Sequence, residues 1–355
     1  MHARARAKWG SGAAREVLRE DLPRRTRTRD WMFRIALGVF TITAVALASG
    51  CQKAAEGTGL TKVTLQADWY PQPEHGGFYT ALVKGYYKDE GIDLTIQPGG
   101  QYVTPEQQIA VGSAQFGMGA SDHTLESVAS GQPLVAVAAT MQSDPQGIMV
   151  RKDSPVRSFA DLNGRTVAIK PGSTWWQFLE KRYKLNDVHE IPATMSVANF
   201  VADPNYIQQA FATSEPFFAH QQGVETRVLL TSEAGYVPYR VTFTTQEFLR
   251  QHPEVVAGFV RASVKGWRDY LKDPAAAHAV MAKLNPALKE DWMNFSWQAL
   301  RDGHFVTGED VSGAQIGAMT ADRWTNMYKQ LLELKVIEKA FDPGTAYTLQ
   351  FAPAK

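Results

Sequence analysis

Polar and apolar positions alternate first over residues 62–67, where Val63, Leu65 and Ala67 are separated by Thr64 and Gln66. A period of two marks a strand with one buried face, and here it ends at Asp68-Trp69-Tyr70-Pro71. The period then lengthens: Tyr79, Leu82, Val83, Tyr86 and Tyr87 recur at helical spacing, with Gly85 and Gly91 punctuating that helix near and at its end. Ile92, Leu94 and Ile96 predict a second strand, closed by Pro98-Gly99-Gly100, and Thr104-Pro105 supplies the N-cap and first-turn proline of another helix. A strand over Gln115–Ala120, a helix from Asp122 and a strand over Leu134–Thr140 continue the series. Strands separated by helices in this rhythm predict an α/β fold with a largely parallel sheet covered on both faces.

The rhythm pauses and restarts after Val150. Ser158-Phe159-Ala160-Asp161 reads as a capping box, Thr166–Ile169 as a strand, and Thr174-Trp175-Trp176-Gln177 as a second capping box that opens a helix. Gln208–Ser214 leads into Glu215-Pro216 and a short helix. Beyond Thr244 the pattern is helical over 247–272, 275–284, 289–303 and 312–334, with Pro, Asn and Gly between the segments. No internal repeat or low-complexity tract interrupts the chain. A length of 355 residues exceeds one simple core and suits two lobes.

The N-terminal region reads as an export signal. Ile35–Ala48 is an uncharged apolar run preceded by Arg34 and the basic stretch Arg24–Arg29. At about 14 residues it is shorter than a bilayer span and matches a signal-peptide core. Ala48-Ser49-Gly50 then leads into Cys51, the only cysteine of the chain. That arrangement looks like a lipobox, with Leu47 one place earlier than usual, and it makes Cys51 the expected lipidation site and mature N-terminus. A single cysteine also excludes an internal disulfide and any cysteine-built metal centre. Residues 1–31 are longer and more mixed than an ordinary signal n-region, and Met32 would start a signal of normal proportions. Residues 1–50 are therefore assigned to extension and signal, and 51–61 to a lipid-anchored tether. The net charge of +1 conceals an asymmetry, because Arg and Lys crowd the first thirty positions. The rest is mildly acidic, which argues against a nucleic-acid surface.

Residues 68–93 carry a recognisable pattern: Trp69, Pro71, His75, Gly77, Phe78, Tyr79, Ala81, Gly85, Tyr86 and Tyr87. Gln115–Ala120, Leu162–Val167, Glu215-Pro216-Phe217-Phe218, and Phe248-Leu249 followed by Pro253 extend it in order. This resembles the periplasmic binding proteins for thiamine-pyrimidine precursors, riboflavin, nitrate and alkanesulfonates. The resemblance covers most of residues 62–285 and implies a two-lobed periplasmic binding protein-like fold of type II, with the ligand in the cleft between lobes. One lobe is expected over 62–147 plus 242–355 and the other over 148–241, with crossings near Ile148–Val150 and Val237–Val241.

Ligands of open α/β sheets bind beyond the carboxyl ends of strands, so the strand-to-helix junctions supply the candidates. Trp69 offers an aromatic platform, and His75 follows in the same loop; Tyr79 is weaker, since it equally well packs its helix. Ser121 and Asp122 either cap a helix or receive N–H donors from a ligand. Ser173, Thr174, Trp175 and Trp176 open a helix whose free N–H groups face an anion or carbonyl, and two consecutive tryptophans point to different sides. Glu215 at another strand end needs solvent or a partner, and Tyr236, with Tyr239, either covers the ligand or packs the hinge.

Together these suit a substrate-binding lipoprotein of an ABC importer that captures a small nitrogen heterocycle and catalyses nothing. No cofactor or metal is expected. Expected partners are the permease and ATPase subunits, the membrane through the lipid anchor, and no second copy of the chain; the expected location is the bacterial cell envelope. An anion such as an alkanesulfonate or nitrate would instead call for Arg or Lys at the strand ends, where Arg151 and Lys170 are the nearest. A thiamine pyrimidine synthase-like enzyme shares the fold and resembles the chain around His123-Thr124. The resemblance implies that such an enzyme needs a lysine just before the histidine and a cysteine-rich segment near 236–244. This chain has Ser121-Asp122 and no cysteine at those places. A signalling ectodomain is the remaining rival, disfavoured by the absence of a C-terminal membrane span or catalytic domain.

Overall fold

A computed structural model describes residues 59–352, Met195 excepted. The expected signal peptide, tether and lipidated Cys51 lie outside the described residues. The strands are β1 (Thr61–Gln66), β2 (Ile92–Gln97), β3 (Phe116–Ala120), β4 (Leu134–Met141), β5 (Gln146–Arg151), β6 (Thr166–Ile169), β7 (His189–Pro192), β8 (Ile207–Phe211), β9 (Thr226–Leu230) and β10 (Arg240–Thr245). The helices are α1 (Gly76–Val83), α2 (Tyr86–Asp89), α3 (Pro105–Ala110), α4 (Ser121–Ala129), α5 (Thr174–Tyr183), α6 (Ala198–Ala202), α7 (Glu215–Gln221), α8 (Gln246–Gln251), α9 (Pro253–Tyr270), α10 (Ala275–Leu284), α11 (Glu290–Asp302) and α12 (Ala321–Glu333).

The strands form two five-stranded sheets, ordered β2-β1-β3-β10-β4 and β7-β6-β8-β5-β9. Each is mixed rather than largely parallel. The strand that enters each sheet from the other, β5 or β10, runs antiparallel to both its neighbours. The first passage between sheets is residues 142–145, just ahead of the expected crossing, because Ile148–Val150 is already inside β5. The return runs from β9 through a single turn, Thr231–Ala234, to β10.

The first sheet packs on α1 and α9. Phe116 stacks on Phe259 at 3.9 Å between ring centres, and Phe78, Tyr87 and Trp267 complete the layer. Such close packing needs Gly266, since a Cβ there would lie 2.2 Å from the Gly77 carbonyl oxygen of α1. Another buried cluster runs from Val167, Leu179 and Ile207 through Tyr236 and Tyr239 to Trp324 and Leu331 of α12. Thus α12 packs against the return passage as well as against α4.

Two long helical expectations break up. The segment 247–272 divides at His252, where Pro253 cannot continue the preceding helix and starts α9. Of 312–334 only α12 is helical: Gly308, Gly313 and Gly317 all take positive φ and turn the chain instead. Among the described residues no helix is long and apolar enough to cross a membrane.

Candidate functional site

The carboxyl ends of the parallel strands in the two sheets face each other. In the first sheet β1 ends at Gln66, β3 at Ala120 and β4 at Met141, and Arg240 opens β10 beside the last two. In the second, β6 ends at Ile169 and β8 at Phe211, with Gln146 opening β5 opposite Phe211. The loops leaving these ends bound the cleft. Thr174 of α5 donates to Glu126 Oε1 of α4 at 2.8 Å, and Thr213 donates to Glu74, so the two edges touch on either side.

An ionic network forms the floor on the first-sheet side. The Arg240 guanidinium bonds Asp68 beyond β1 and reaches Asp144 Oδ2, in the first passage, at 3.3 Å. His75 Nε2 lies 3.0 Å from the other oxygen of Asp68. Burial pulls the Arg240 guanidinium down to about 10. Burial, with the Asp122 charge adding, pushes the Asp144 carboxyl up to about 7, against the Gln146 backbone N–H that bonds it. Burial drives the His75 imidazole down to about 4, with the Glu74 charge opposing, so His75 donates to Asp68 as a neutral ring.

Above this floor the charge is mostly negative. Asp122 is buried and accepts from Tyr236 Oη at 2.6 Å and from the His123 backbone N–H at 3.0 Å. Glu106 of α3 is buried over Gly119, where a Cβ would lie 2.7 Å from its Oε1. Glu74, His123, Glu126 and Glu215 keep solvent-accessible surface yet are enclosed by protein, as befits groups in a narrow cleft. Desolvation raises Glu74, Glu106, Glu126 and Glu215. The Asp122 charge, followed by Glu126 and Glu106, raises the His123 imidazole against its own desolvation.

Most candidates read from the sequence lie in the loops and helix starts beyond these strand ends, whereas Tyr79 sits within α1 and Trp176 points back toward β7. Trp69 is half-buried, edge-on to Tyr70 at 5.6 Å, and its backbone carbonyl accepts from Gly99, which closes tightly on the end of β1. Ser121 is tied to the return passage by a backbone pair with Tyr239 and by its hydroxyl accepting from the Tyr239 N–H at 3.0 Å. Ser173, rather than Thr174, takes the N-cap position of α5, and its hydroxyl donates to the Lys170 carbonyl at 2.7 Å. Thr174 is free to bridge to Glu126 for that reason. The Trp176 indole donates to Glu190 of β7 at 2.8 Å and so anchors α5 to its own sheet, while Trp175 lies perpendicular to it. Glu215 Oε2 accepts the Phe211 N–H at 2.8 Å, closing the end of β8. Tyr236 is buried against Phe178 and spends its hydroxyl on Asp122. Tyr79 is buried with a hydroxyl that has no partner among the described residues, and desolvation pushes it up to about 12.

Sequence reasoning passed over Arg240, Asp144, Glu106 and Glu126. Arg240 and Asp68 are 172 positions apart, and no local pattern joins them. Glu106 after Thr104-Pro105 reads as an ordinary acidic first turn. A groove lined by Gln177, Glu180, Lys181 and Glu333 shares no residue with these strand ends and lies outside the site.

Among relatives, the riboflavin-binding protein RibY of Chloroflexus aurantiacus is 24% identical over 305 residues, covering 83% of this chain and 87% of that protein. A 4-amino-5-hydroxymethyl-2-methylpyrimidine phosphate synthase of Legionella pneumophila is 24% identical over 82% and 93%. A formylaminopyrimidine-binding protein of Halalkalibacterium halodurans is 22% identical over 68% and 76%. Among solved structures, the periplasmic aliphatic sulphonate binding protein SsuA of Escherichia coli superposes with a TM-score of 0.60 at 17% identity, covering 80% of this chain and 91% of that one. The architecture is therefore the periplasmic binding protein fold. Residues 72–277, more than half of the chain, match the NMT1/THI5 like family model, and the chain belongs to that family.

Proposed function

We propose that this chain is the substrate-binding component of an ABC importer and that it captures a small, amino-bearing nitrogen heterocycle of the thiamine-pyrimidine-precursor type. The observation that carries the reading is the charge of the cleft. Arg240 is already shared by Asp68 and Asp144, whereas Glu74, Glu106, Glu126 and Glu215 form no ion pair among the described residues and outnumber the one imidazole, His123, that faces Glu106 and Glu126. An anion entering here loses its counter-ion to the protein; an amino group or ring N–H finds acceptors. The half-buried Trp69 adds a flat apolar face. Relatives named for riboflavin and for aminopyrimidines, all nitrogen heterocycles, support the same class.

The synthase reading has relatives behind it. Against it stands Asp122 immediately before His123, where that chemistry needs a nearby lysine; here Asp122 is bonded to Tyr236. Export and lipidation at Cys51 belong to the importer reading. They predict a diacylglyceryl-modified N-terminal Cys51 peptide in membrane extracts, and an intact peptide spanning Gly50-Cys51 in mature protein would overturn them.

Calorimetry with 4-amino-5-hydroxymethyl-2-methylpyrimidine, riboflavin, an alkanesulfonate and nitrate tests the ligand class. Binding of the aminopyrimidine, weakened about tenfold by Glu215→Gln, is expected from a charge-assisted hydrogen bond. Tighter anion binding in Glu215→Gln, with no aminopyrimidine binding by the wild type, would reverse the reading.

A further inference from the structure

Glu106 is the least explained group in the cleft. It opens α3 behind Pro105, is 5% exposed, and accepts from its own backbone N–H but from no side chain among the described residues. Its carboxyl reaches across the end of β3, where the missing side chain of Gly119 leaves it room. There it lies within the electrostatic reach of Asp122, His123 and Glu126. A buried carboxyl whose one donor is its own backbone N–H keeps acceptor capacity to spare, and that is costly unless something else pairs with it. The other acids at these strand ends have donors: Tyr236 for Asp122, Phe211 N–H for Glu215, Thr174 for Glu126 and Thr213 for Glu74.

We propose that Glu106 is the specificity-determining residue of the cleft, pairing through both carboxyl oxygens with the amino group and the adjacent ring nitrogen of an aminopyrimidine. This rests on the heterocycle reading above and names the residue that selects the amino group. The chemistry is complementary in either protonation state. A neutral carboxyl donates O–H to the ring nitrogen and accepts from the amino group, whereas an ionised one accepts twice from a ring-protonated aminopyrimidine. Desolvation raises Glu106, which favours its neutral form. His123, solvent-facing and raised by the surrounding acids, stands beside it as a donor to a ring substituent.

The test measures, by calorimetry on the full chain, the preference for 4-amino-5-hydroxymethyl-2-methylpyrimidine over the same ring lacking the 4-amino group. Wild type should prefer the amino compound about tenfold or more. Glu106→Met should bring the two within about threefold of each other, and Glu106→Gln, whose amide also donates and accepts, should restore much of the preference. Should Glu106→Met not fold, Glu106→Asp, which withdraws the carboxyl by one methylene, carries the same test, with the preference again expected to fall. An unchanged preference in the folded variant, or an equal loss for both compounds, overturns the assignment of Glu106 and leaves the heterocycle reading in place. No binding of either pyrimidine by wild type overturns the reading itself, and the assignment with it.

Discussion

Arg240 sits between two carboxylates from the first half of the sequence, Asp68 beyond the first strand and Asp144 in the first passage. Its guanidinium is 16% exposed and Asp144 only 5%, so removing the cation strands a buried negative charge. Arg240→Met is expected to cost about 3 kcal/mol of unfolding free energy, at the lower end for a broken buried pair because Asp68 keeps contact with water. Adding Asp144→Asn should recover part of that loss, since the orphaned charge is then gone. Denaturant unfolding of the single and double variants checks both, and a cost below about 1 kcal/mol for Arg240→Met would show the pair to be spectators. This is also where the sequence stops being legible. The strand ends that carry Trp69, Asp122, Thr174 and Glu215 follow from alternation and breaker residues, which are local. Apart from local pairs such as Glu215 with Phe211, which acid meets which donor depends on chain separations from 48 to 172 residues and on geometry that no period encodes.

At the scale of elements, propensity and patterning located β1, β2, β3, β4 and β6 to within a residue or two, because buried alternation and flanking glycines act locally, and gave no strand for β7, β9 or β10. They overran in the helical region, where the pattern extends the last helix over 312–320 but Gly313 and Gly317 at positive φ turn the chain. One interhelical contact there has a pH signature. His278 of α10 lies 3.0 Å from the Tyr270 hydroxyl at the end of α9, and burial holds its imidazole down at about 4, below its ordinary 6.5. Between those two values the unfolded chain binds a proton that the folded chain refuses. The contribution is therefore complete above about pH 6.5 and is lost as pH falls toward 4, by at most about 1.4 kcal/mol per unit. His278→Gln lacks this slope. Its deficit relative to wild type should narrow on going from pH 7 to 4.5, whereas a constant gap across that range would mean that His278 titrates normally in the fold. Taking the difference cancels the raised carboxylates, which act in the opposite direction in both proteins.

Taken as a whole, the two sheets are joined by residues 142–145 and by the return into β10, and one side chain ties the two passages together. Arg323 of α12 donates to Gln142 Oε1 at 3.2 Å and to the Val237 carbonyl at 3.0 Å, and lies 3.6 Å over the Tyr239 ring. With the passages fixed at that end, relative movement of the sheets has to open the opposite mouth. Aromatic rings close that mouth. Phe218 of α7 meets Trp292 of α11 at 4.8 Å between centres, Phe217 meets Phe295 at 5.5 Å, and Gln221 donates to Asp291 at 2.9 Å. An edge-to-face pair adds about 0.5–1.5 kcal/mol beyond the area it buries, and Trp292, on α11, is not among the residues at the strand ends that line the cleft. Trp292→Ala therefore acts on closure and leaves the binding groups intact. It should raise the ligand dissociation rate about three- to tenfold with little change in association, and should enlarge the ligand-free radius of gyration seen by solution scattering. A dissociation rate and radius equal to those of the wild type would mean that the aromatic contact closes nothing. A fall in association rate alone would place Trp292 on the entry path rather than in the latch.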